Sequence, residues 1–240
     1  MRFMVMHKVT EEMEKGTPPT PEEMEGVGRL IGDALQRGIF VSAEGLHPTS
    51  QRVHLAYRKG LRTLTPGPFT ELGERVAGFM LMSVRSKEEA LAWCDKFATA
   101  VGDVELVLGA VKEPWDVGMA PRPENPPLRF LSLYMADERS EKDLPREAWQ
   151  AERLKVLFDE MTRVGVLQVS AELASTRRGS RVHFEGGRHT VMDGPFAESK
   201  ELVAGYAVLE LPSKAEAVEW STRFGSVVKV REIDVRPLAE

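Results

Sequence analysis

The chain has 240 residues, of which 42% are hydrophobic and 29% are charged, and its formal net charge at pH 7 is −5. This composition can bury two cores, or one joint core, without disulfides or bound metals. The acidic balance and the dispersed Lys and Arg residues argue against a nucleic-acid partner, because phosphate binding normally requires a basic surface. No apolar run is long enough to cross a bilayer, so we expect no membrane partner.

The single cysteine and the N-terminus indicate where the protein resides. Cys94 is the only cysteine and cannot form an internal disulfide, so we expect a reduced thiol that packs beside Trp93. The stretch Arg2-Phe3-Met4-Val5-Met6 is too short and too strand-like for a signal peptide. We therefore predict a cytoplasmic protein.

The first half of the chain alternates between strand and helix patterns. Thr20 can cap a helix, Pro21 suits the first helical position and Glu23 completes a capping box, while Gly38 is a typical stop. The predicted elements are a strand at 3–9, a helix at 20–38, short strands at 39–43 and 52–57, a longer strand at 76–84, a helix from 86 past 97, and a strand at 104–111.

The second half repeats this order. Its predicted elements are a helix at 145–164, strands near 166–171, 181–184 and 202–211, a helix at 213–224 and a final strand at 228–235. The order β-α-β-β-(β)-α-β predicts an α+β fold in which two helices cover one face of an antiparallel sheet, as in ferredoxin-like domains.

Several motifs occur twice, 127 positions apart. The pairs are Arg2-Phe3-Met4 with Arg129-Phe130-Leu131, Gly38-Ile39 with Gly165-Val166, Gly67-Pro68-Phe69 with Gly194-Pro195-Phe196, and Gly78-Phe79 with Gly205-Tyr206. The spacing slips by one residue at Val41-Ser42-Ala43-Glu44 and Val169-Ser170-Ala171-Glu172, and by two at Arg52 and Arg181. We predict two domain-sized repeats at 1–112 and 128–240, joined by a stiff, extended, proline-rich linker at 113–127.

Two strands are apolar at almost every position, where a strand with one face in water should alternate. They are 76–82 and 203–209, and both faces of each are predicted to be buried, with the two sheets packed face to face. Gly78 and Gly205 lie within these strands, where glycine lowers stability unless another group approaches closely. That group is either a helix packed tightly on the sheet or a ligand lying over the backbone.

The second half carries a recognisable signature. Asp193-Gly194-Pro195-Phe196, followed by Glu198 and by Lys200-Glu201, resembles the motif of the DGPF family, a branch of the YCII-related proteins. The supporting features are Ala43-Glu44-Gly45-Leu46, the Glu-Ala-x-x-Trp helices at 89–93 and 216–220, and the closing Ile233-Asp234-Val235-Arg236-Pro237. The resemblance covers both halves outside the linker.

The resemblance implies a dimeric α+β barrel, which a duplicated chain forms alone as a monomeric pseudo-dimer, and it leaves a higher oligomer open. It also implies an association with extracytoplasmic-function sigma factors, and hence a protein partner in transcription regulation. Some YCII-related relatives are thought to use a His/Asp pair. The resemblance transfers no settled catalytic set to this chain.

The signature itself has two interpretations. Asp193 either braces its turn by accepting backbone N–H groups, or it presents a carboxylate for acid/base work or ligand anchoring. Position 66, which corresponds to Asp193, is proline, so a working carboxylate would be limited to one half. Phe69 and Phe196 follow the rigid Gly-Pro in both halves, and we predict that both are buried plugs.

Other candidates lie near strand ends. His7 ends the first strand and corresponds to Tyr134, while Glu44 and Glu172 follow apolar strands as hairpin anchors or pocket groups. We expect His54 and His183 on a solvated strand face and His47 and His189 in loops. No cluster has metal-ligand spacing and no cofactor fingerprint is present, so we predict neither a metal nor a cofactor.

Two classes of function follow. The first is a non-catalytic module that binds a small-molecule ligand or a regulatory partner, with Glu44, Gly78, Gly205 and Glu198 as ligand contacts. The second is a small-molecule enzyme with Asp193, Glu172, Tyr134 and His7 in acid/base roles, in a pocket between the sheets. The missing catalytic constellation favours the first.

Overall fold

A computed structural model describes residues 1–69, 73, 75–199 and 202–239. Lys200 and Glu201 of the signature lie outside the described residues. The chain is α+β, as predicted. Its elements are β1 (Arg2–Lys8), α1 (Glu11–Glu14), α2 (Pro21–Gln36), β2 (Phe40–Leu46), β3 (Val53–Arg58), β4 (Leu61–Pro66), β5 (Val76–Val84), α3 (Lys87–Val101), β6 (Val104–Lys112), β7 (Leu128–Met135), α4 (Ala148–Arg163), β8 (Leu167–Glu172), β9 (Ser180–Glu185), β10 (Arg188–Asp193), β11 (Val203–Glu210), α5 (Lys214–Val228) and β12 (Glu232–Pro237).

The described residues form two compact units. The first unit combines 1–48 with 173–240, and the second unit combines 49–69 with 75–172. The strands of the first unit are ordered β10-β9-β12-β1-β11-β2. Those of the second unit are ordered β4-β3-β6-β7-β5-β8. All of these pairs are antiparallel.

These units differ from the predicted ranges 1–112 and 128–240. The reason is that β1 pairs with β11 and β12, and β7 pairs with β5 and β6, so each sheet takes its central strands from both halves. The first unit contains β1-α2-β2 from one half and β11-α5-β12 from the other. Each unit thus has the β-α-β-β-α-β content of a ferredoxin-like domain, and each unit takes these elements from both halves of the sequence.

The helix boundaries follow local chemistry. The predicted capping box is present, because Glu23 N–H donates to Thr20 Oγ1 and Thr20 N–H donates to Glu23 Oε2. At the other end of the chain α5 continues to Val228, beyond its predicted end at 224. Lys229 stops it by adopting a left-handed conformation, with φ of 53°. The last strand therefore begins at Glu232 rather than at 228.

The prediction that the long apolar strands are buried on both faces is confirmed. Residues 76–82 of β5 and 203–209 of β11 are buried without interruption. On β5, Met80 and Met82 belong to the core of the second unit, where Phe97 and Trp93 of α3 also lie. A strand buried on both faces has no reason to alternate polar and apolar residues, which explains its pattern.

Two segments that were predicted as loop or linker contain regular secondary structure. His189 lies on β10 and not in a loop, since β9 and β10 form a hairpin. The stretch 113–127 is not wholly extended, because Pro114–Val117 is a 3-10 helix. Glu113 is buried and accepts two hydrogen bonds from Arg129, at 2.7 and 2.8 Å. This bidentate pair holds the start of the stretch against β7.

Cys94 is a packing residue, as predicted. Its side chain is fully buried in α3, and its thiol donates to Ser132 Oγ at 3.8 Å. Burial raises the pKa of the thiol to about 12, so it stays protonated and unreactive at neutral pH. Within the described part of the chain, no helix is both long enough and apolar enough to cross a membrane.

Candidate functional site

The signature turn begins at the rim of the first unit. Asp193 is the last residue of β10, and its side chain is 73% exposed. Asp193 Oδ1 accepts hydrogen bonds from Lys214 Nζ at 2.7 Å and from Ser180 Oγ at 2.6 Å. The hydrogen bond from Lys214 and that from Ser180 lower the pKa of the Asp193 carboxyl. Asp193 is therefore an ionised brace on the surface at neutral pH.

The glycine of the signature is required by a close backbone approach. A Cβ on Gly194 would overlap the carbonyl oxygen of Thr176, and a Cβ on Gly67 would overlap that of Thr49. The same contact recurs in both halves, although Asp193 is replaced by Pro66 in the first. The Gly-Pro step is thus a backbone packing feature that does not depend on the aspartate.

Phe196 is buried, whereas Phe69 is only half-buried, so the plug prediction holds for Phe196 alone. The Arg181 guanidinium carbon lies 4.4 Å from the centroid of the Phe196 ring. Arg181 Nη1 also donates to the carbonyl of Ala197 at 3.2 Å. Arg181 therefore clamps the segment after the turn onto the sheet of the first unit.

Arg181 is in turn held by a buried aspartate. Its Nε and Nη2 donate to the two carboxylate oxygens of Asp234, at 2.6 and 3.0 Å. Lys8 Nζ lies 3.2 Å from Asp234 Oδ2, and the Lys8 and Asp234 side chains are only 2% and 7% exposed. Burial alone would raise the pKa of Asp234, but the charge of Lys8 and the hydrogen bonds from Arg181 outweigh it and lower that pKa.

This buried charge cluster, made of Lys8, Arg181 and Asp234, was missed by the sequence analysis. The signal was present in the repeat, because Met135 and Val107 occupy the positions of Lys8 and Asp234 in the other half. Strands that carry charged residues in one repeat and apolar residues at the matching positions of the other repeat indicate that the two repeats have become specialised. Asp234 was noted only as part of the closing motif.

Tyr134 and Glu172 lie together in the second unit, on either side of Gly78. Gly78 is opposite Tyr134 on β7 and opposite Glu172 on β8, so both side chains project from the same sheet face. A Cβ on Gly78 would overlap the Tyr134 hydroxyl, which explains the glycine. The group that approaches this backbone is thus the side chain of a neighbouring strand, and a ligand contact at Gly78 stays a prediction.

Arg146 completes this group, although the sequence did not indicate it. Its guanidinium forms an ion pair with Glu172, and its Cζ lies 5.5 Å from the centroid of the Tyr134 ring. The side chains of Arg146 and Glu172 are 25% and 47% exposed. Burial raises the pKa of the Tyr134 phenol, and the charge of Glu172 adds to this effect, so the phenol remains protonated.

His7 occupies the corresponding position in the first unit. It is opposite Gly205, and a Cβ on Gly205 would lie 2.6 Å from His7 Cε1. The His7 ring is 5.4 Å from that of Phe224 on α5, just as Tyr134 is 5.1 Å from Phe97 on α3. Both rings face helices of their own unit. The acid/base roles of His7 and Tyr134 in a pocket between the sheets stay a prediction.

Glu44 and Glu172 are not structurally equivalent. Glu172 is opposite Gly78, but Glu44 is opposite Tyr206, and Gly45 takes the place opposite Gly205. The one-residue slip between the halves turns Glu44 to the other face of its sheet. Glu44 therefore does not share a site with His7 in the way that Glu172 does with Tyr134.

The remaining candidates lie apart from these groups. Glu198 is exposed, and a Cβ on Gly73 would lie 2.6 Å from its Oε2. His183 is exposed as predicted, while His54 is half-buried with Nε2 3.3 Å from Glu105 Oε2. Among the described residues, no group of three His, Cys, Asp or Glu side chains is arranged to hold a metal ion.

Asp193→Asn is expected to change the free energy of unfolding by less than about 1 kcal/mol, because exposed ion pairs contribute little. The amide oxygen can still accept from Ser180, while the pairing with Lys214 loses its charge. Urea denaturation of the variant and of Lys214→Gln checks this. A loss above about 2 kcal/mol in both would show that the brace is structurally essential.

The fold and these groups define an α+β protein built from ferredoxin-like units, with signature residues that anchor a loop. Residues 129–232 match the model of the YCII-related domain. This match agrees with the YCII-related resemblance of the signature, and the matched range contributes strands to both units. An uncharacterized protein of Rhizobium meliloti (strain 1021) is 33% identical over 76 residues, which are 31% of this chain and 61% of that protein.

Proposed function

We propose that this protein is a cytoplasmic small-molecule-binding or regulatory module that does not turn its ligand over. The observation that supports this proposal is the protonation state of two candidate acid/base groups, Asp193 and Tyr134. The pKa of Asp193 is lowered and that of Tyr134 is raised, so both pKa values move further from pH 7. At neutral pH Asp193 therefore stays ionised and Tyr134 stays protonated, and neither exchanges a proton readily. General acid/base catalysis favours groups whose pKa is near the working pH.

The ligand contact that we infer is the Arg146–Glu172 pair above the Tyr134 ring. Partly exposed ion pairs contribute little to stability, so a ligand can replace one partner with little loss of free energy. Arg146 offers a planar fork that suits a carboxylate or phosphate group, and the buried ring supplies a flat apolar floor. Position 19, which corresponds to Arg146, is proline, so this contact is confined to one half.

Two finer assignments belong to the same proposal. The first is that the chain is a tandem duplication of the YCII-related domain that forms a pseudo-dimeric α+β barrel as a monomer. Its support is the equivalence of strand pairs, since β1–β11 corresponds to β7–β5 under the 127-residue spacing. The second is a partner in sigma-factor-associated transcription, which is supported by the resemblance of the signature.

The test is affinity selection from a mixture of small anionic metabolites, followed by mass spectrometry of what is bound. We expect the bound compound to be recovered unchanged after prolonged incubation, and Arg146→Gln to weaken its binding at least tenfold. Arg139→Gln is the matched control, because Arg139 also forms an exposed ion pair, with Glu147 at 3.0 Å. Conversion of the compound by the wild-type protein would contradict the proposal.

A further inference from the structure

A small cleft in the first unit is separate from the groups described above. Its volume is about 50 Å³, which exceeds the space of a single water and suits a small polar head group. It lies between the C-terminal end of α2, the residues that precede β2, and α5. The lining residues are Arg37, Ile39, Leu211, Glu216, Glu219, Trp220 and Arg223.

The side chain of Trp220 forms part of the wall of the cleft. Trp220 is 4% exposed, and its indole Nε1 has no hydrogen-bond partner among the described residues. The Trp220 ring is stacked on Phe224, with centroids 5.4 Å apart and an interplanar angle of 9°, so its orientation is set by packing. Because the N–H itself is covered, a ligand in the cleft would meet the ring of Trp220 and not its N–H.

Both signs of charge line the cleft. Arg37 and Arg223 each lie 3.7 Å from the same oxygen of Asp33, a long distance for an ion pair, and each is 47% exposed. Both guanidinium groups stand on flexible stems, so they can turn toward a bound carboxylate. Glu216 and Glu219 provide carboxylates for a bound cation. Such a lining is complementary to a ligand that carries both charges.

At the equivalent place in the second unit, Lys96 takes the position of Arg223. There Lys96 Nζ lies 4.1 Å from the centroid of the Trp93 ring and 2.8 Å from Glu160 Oε1. Hydrogen bonds from Arg85 lower the pKa of Glu89, which takes the position of Glu216. Val164 and Ala92 occupy the positions of Arg37 and Glu219. The two arginines of the cleft are thus replaced in the second unit by Val164 and by Lys96, which is paired with Glu160.

We propose that the cleft lined by Arg37, Arg223 and Trp220 binds the zwitterionic head group of a free α-amino acid. The carboxylate accepts from the guanidinium groups of Arg37 and Arg223, and the ammonium group donates to Glu216 and Glu219. Ile39 and Leu211 contact the apolar part of the ligand. This inference rests on the proposed binding function but assigns it a site and a ligand class of its own.

The test is the indole region of a ¹⁵N-HSQC spectrum, since four tryptophans give four indole N–H resonances. Trp220→Phe identifies the Trp220 resonance, and the Trp93 resonance is the internal control. L-alanine is expected to shift the Trp220 signal saturably and leave the Trp93 signal in place. Propionate and ethylamine, which each carry one of the two charges, are expected to bind at least tenfold more weakly.

Two variants complete the test. Arg223→Gln is expected to weaken L-alanine binding at least tenfold, while Lys96→Gln, the matched change in the second unit, leaves it unchanged. Equal binding of propionate and L-alanine, or no shift of Trp220 at saturating L-alanine, overturns the inference. If other compounds still bind the protein through Arg146, the proposed function survives that failure. If no compound binds at either place, both fall.

Discussion

Asp234→Val is expected to lower the free energy of unfolding by about 3 to 5 kcal/mol, the range for breaking a buried ion pair. The change leaves the Lys8 ammonium, 2% exposed, without its partner, and it removes the two Asp234 oxygens that accept hydrogen bonds from Arg181. Urea denaturation followed by tryptophan fluorescence measures the loss. A loss below about 1 kcal/mol would mean that the cluster does not stabilise the fold.

The other half of the chain supplies the control for this prediction. Lys8→Met combined with Asp234→Val reproduces Met135 and Val107, and it removes both members of the pair together. We expect the double variant to be more stable than Asp234→Val alone, because no ammonium group remains buried without a partner. A double variant that is less stable than the single one would contradict the assigned role of Lys8.

The same cluster makes stability depend on pH. The pKa of Asp234 is lower in the folded state than the value of about 3.9 for an unfolded aspartate. Its contribution is therefore fully present above about pH 4 and is lost as the pH falls through the folded-state pKa. Denaturation curves between neutral and acidic pH should show this loss in the wild type, and a smaller one in the double variant.

Phe196→Ala is expected to lower the free energy of unfolding by about 3 to 5 kcal/mol, as for other buried phenylalanines. The substitution leaves a cavity on the sheet and removes the ring on which the Arg181 guanidinium rests. Phe69→Ala is the matched control, because Phe69 is only half-buried and its ring contacts His54 with centroids 6.4 Å apart. Equal losses in the two variants would contradict the difference in burial.

The fold could be predicted as far as local patterns reach. Helix starts at Thr20, Ser86 and Ser213 depend on side chains that cap the nearby backbone, and these are readable from a few residues. The apolar runs in β5 and β11 indicated strands buried on both faces. The pairing of β1 with β11 was not predicted, because strands of either copy present similar edges and the sequence pattern does not say which partner is chosen.

The site was harder to predict than the fold. Asp193 was prominent in the signature, but its environment is an exposed rim, and exposure cannot be read from a motif. Asp234 and Lys8 lie 226 positions apart in the chain, so only the sheet brings them together. Trp220 and Trp93 both end a Glu-Ala-x-x-Trp motif, and only the structure shows that the Trp220 indole N–H is buried without a partner among the described residues.

The sequence by itself determined the α+β class, the repeated order of elements and the YCII-related signature. The first two follow from capping, periodicity and turn chemistry, which act over a few residues, and the third is a resemblance carried by a short motif. The tertiary structure alone decided which half supplies each strand of a sheet, which face Glu44 occupies, and which charged groups are buried. Those outcomes depend on pairing between distant segments, where a shift of one residue reverses the direction of every side chain.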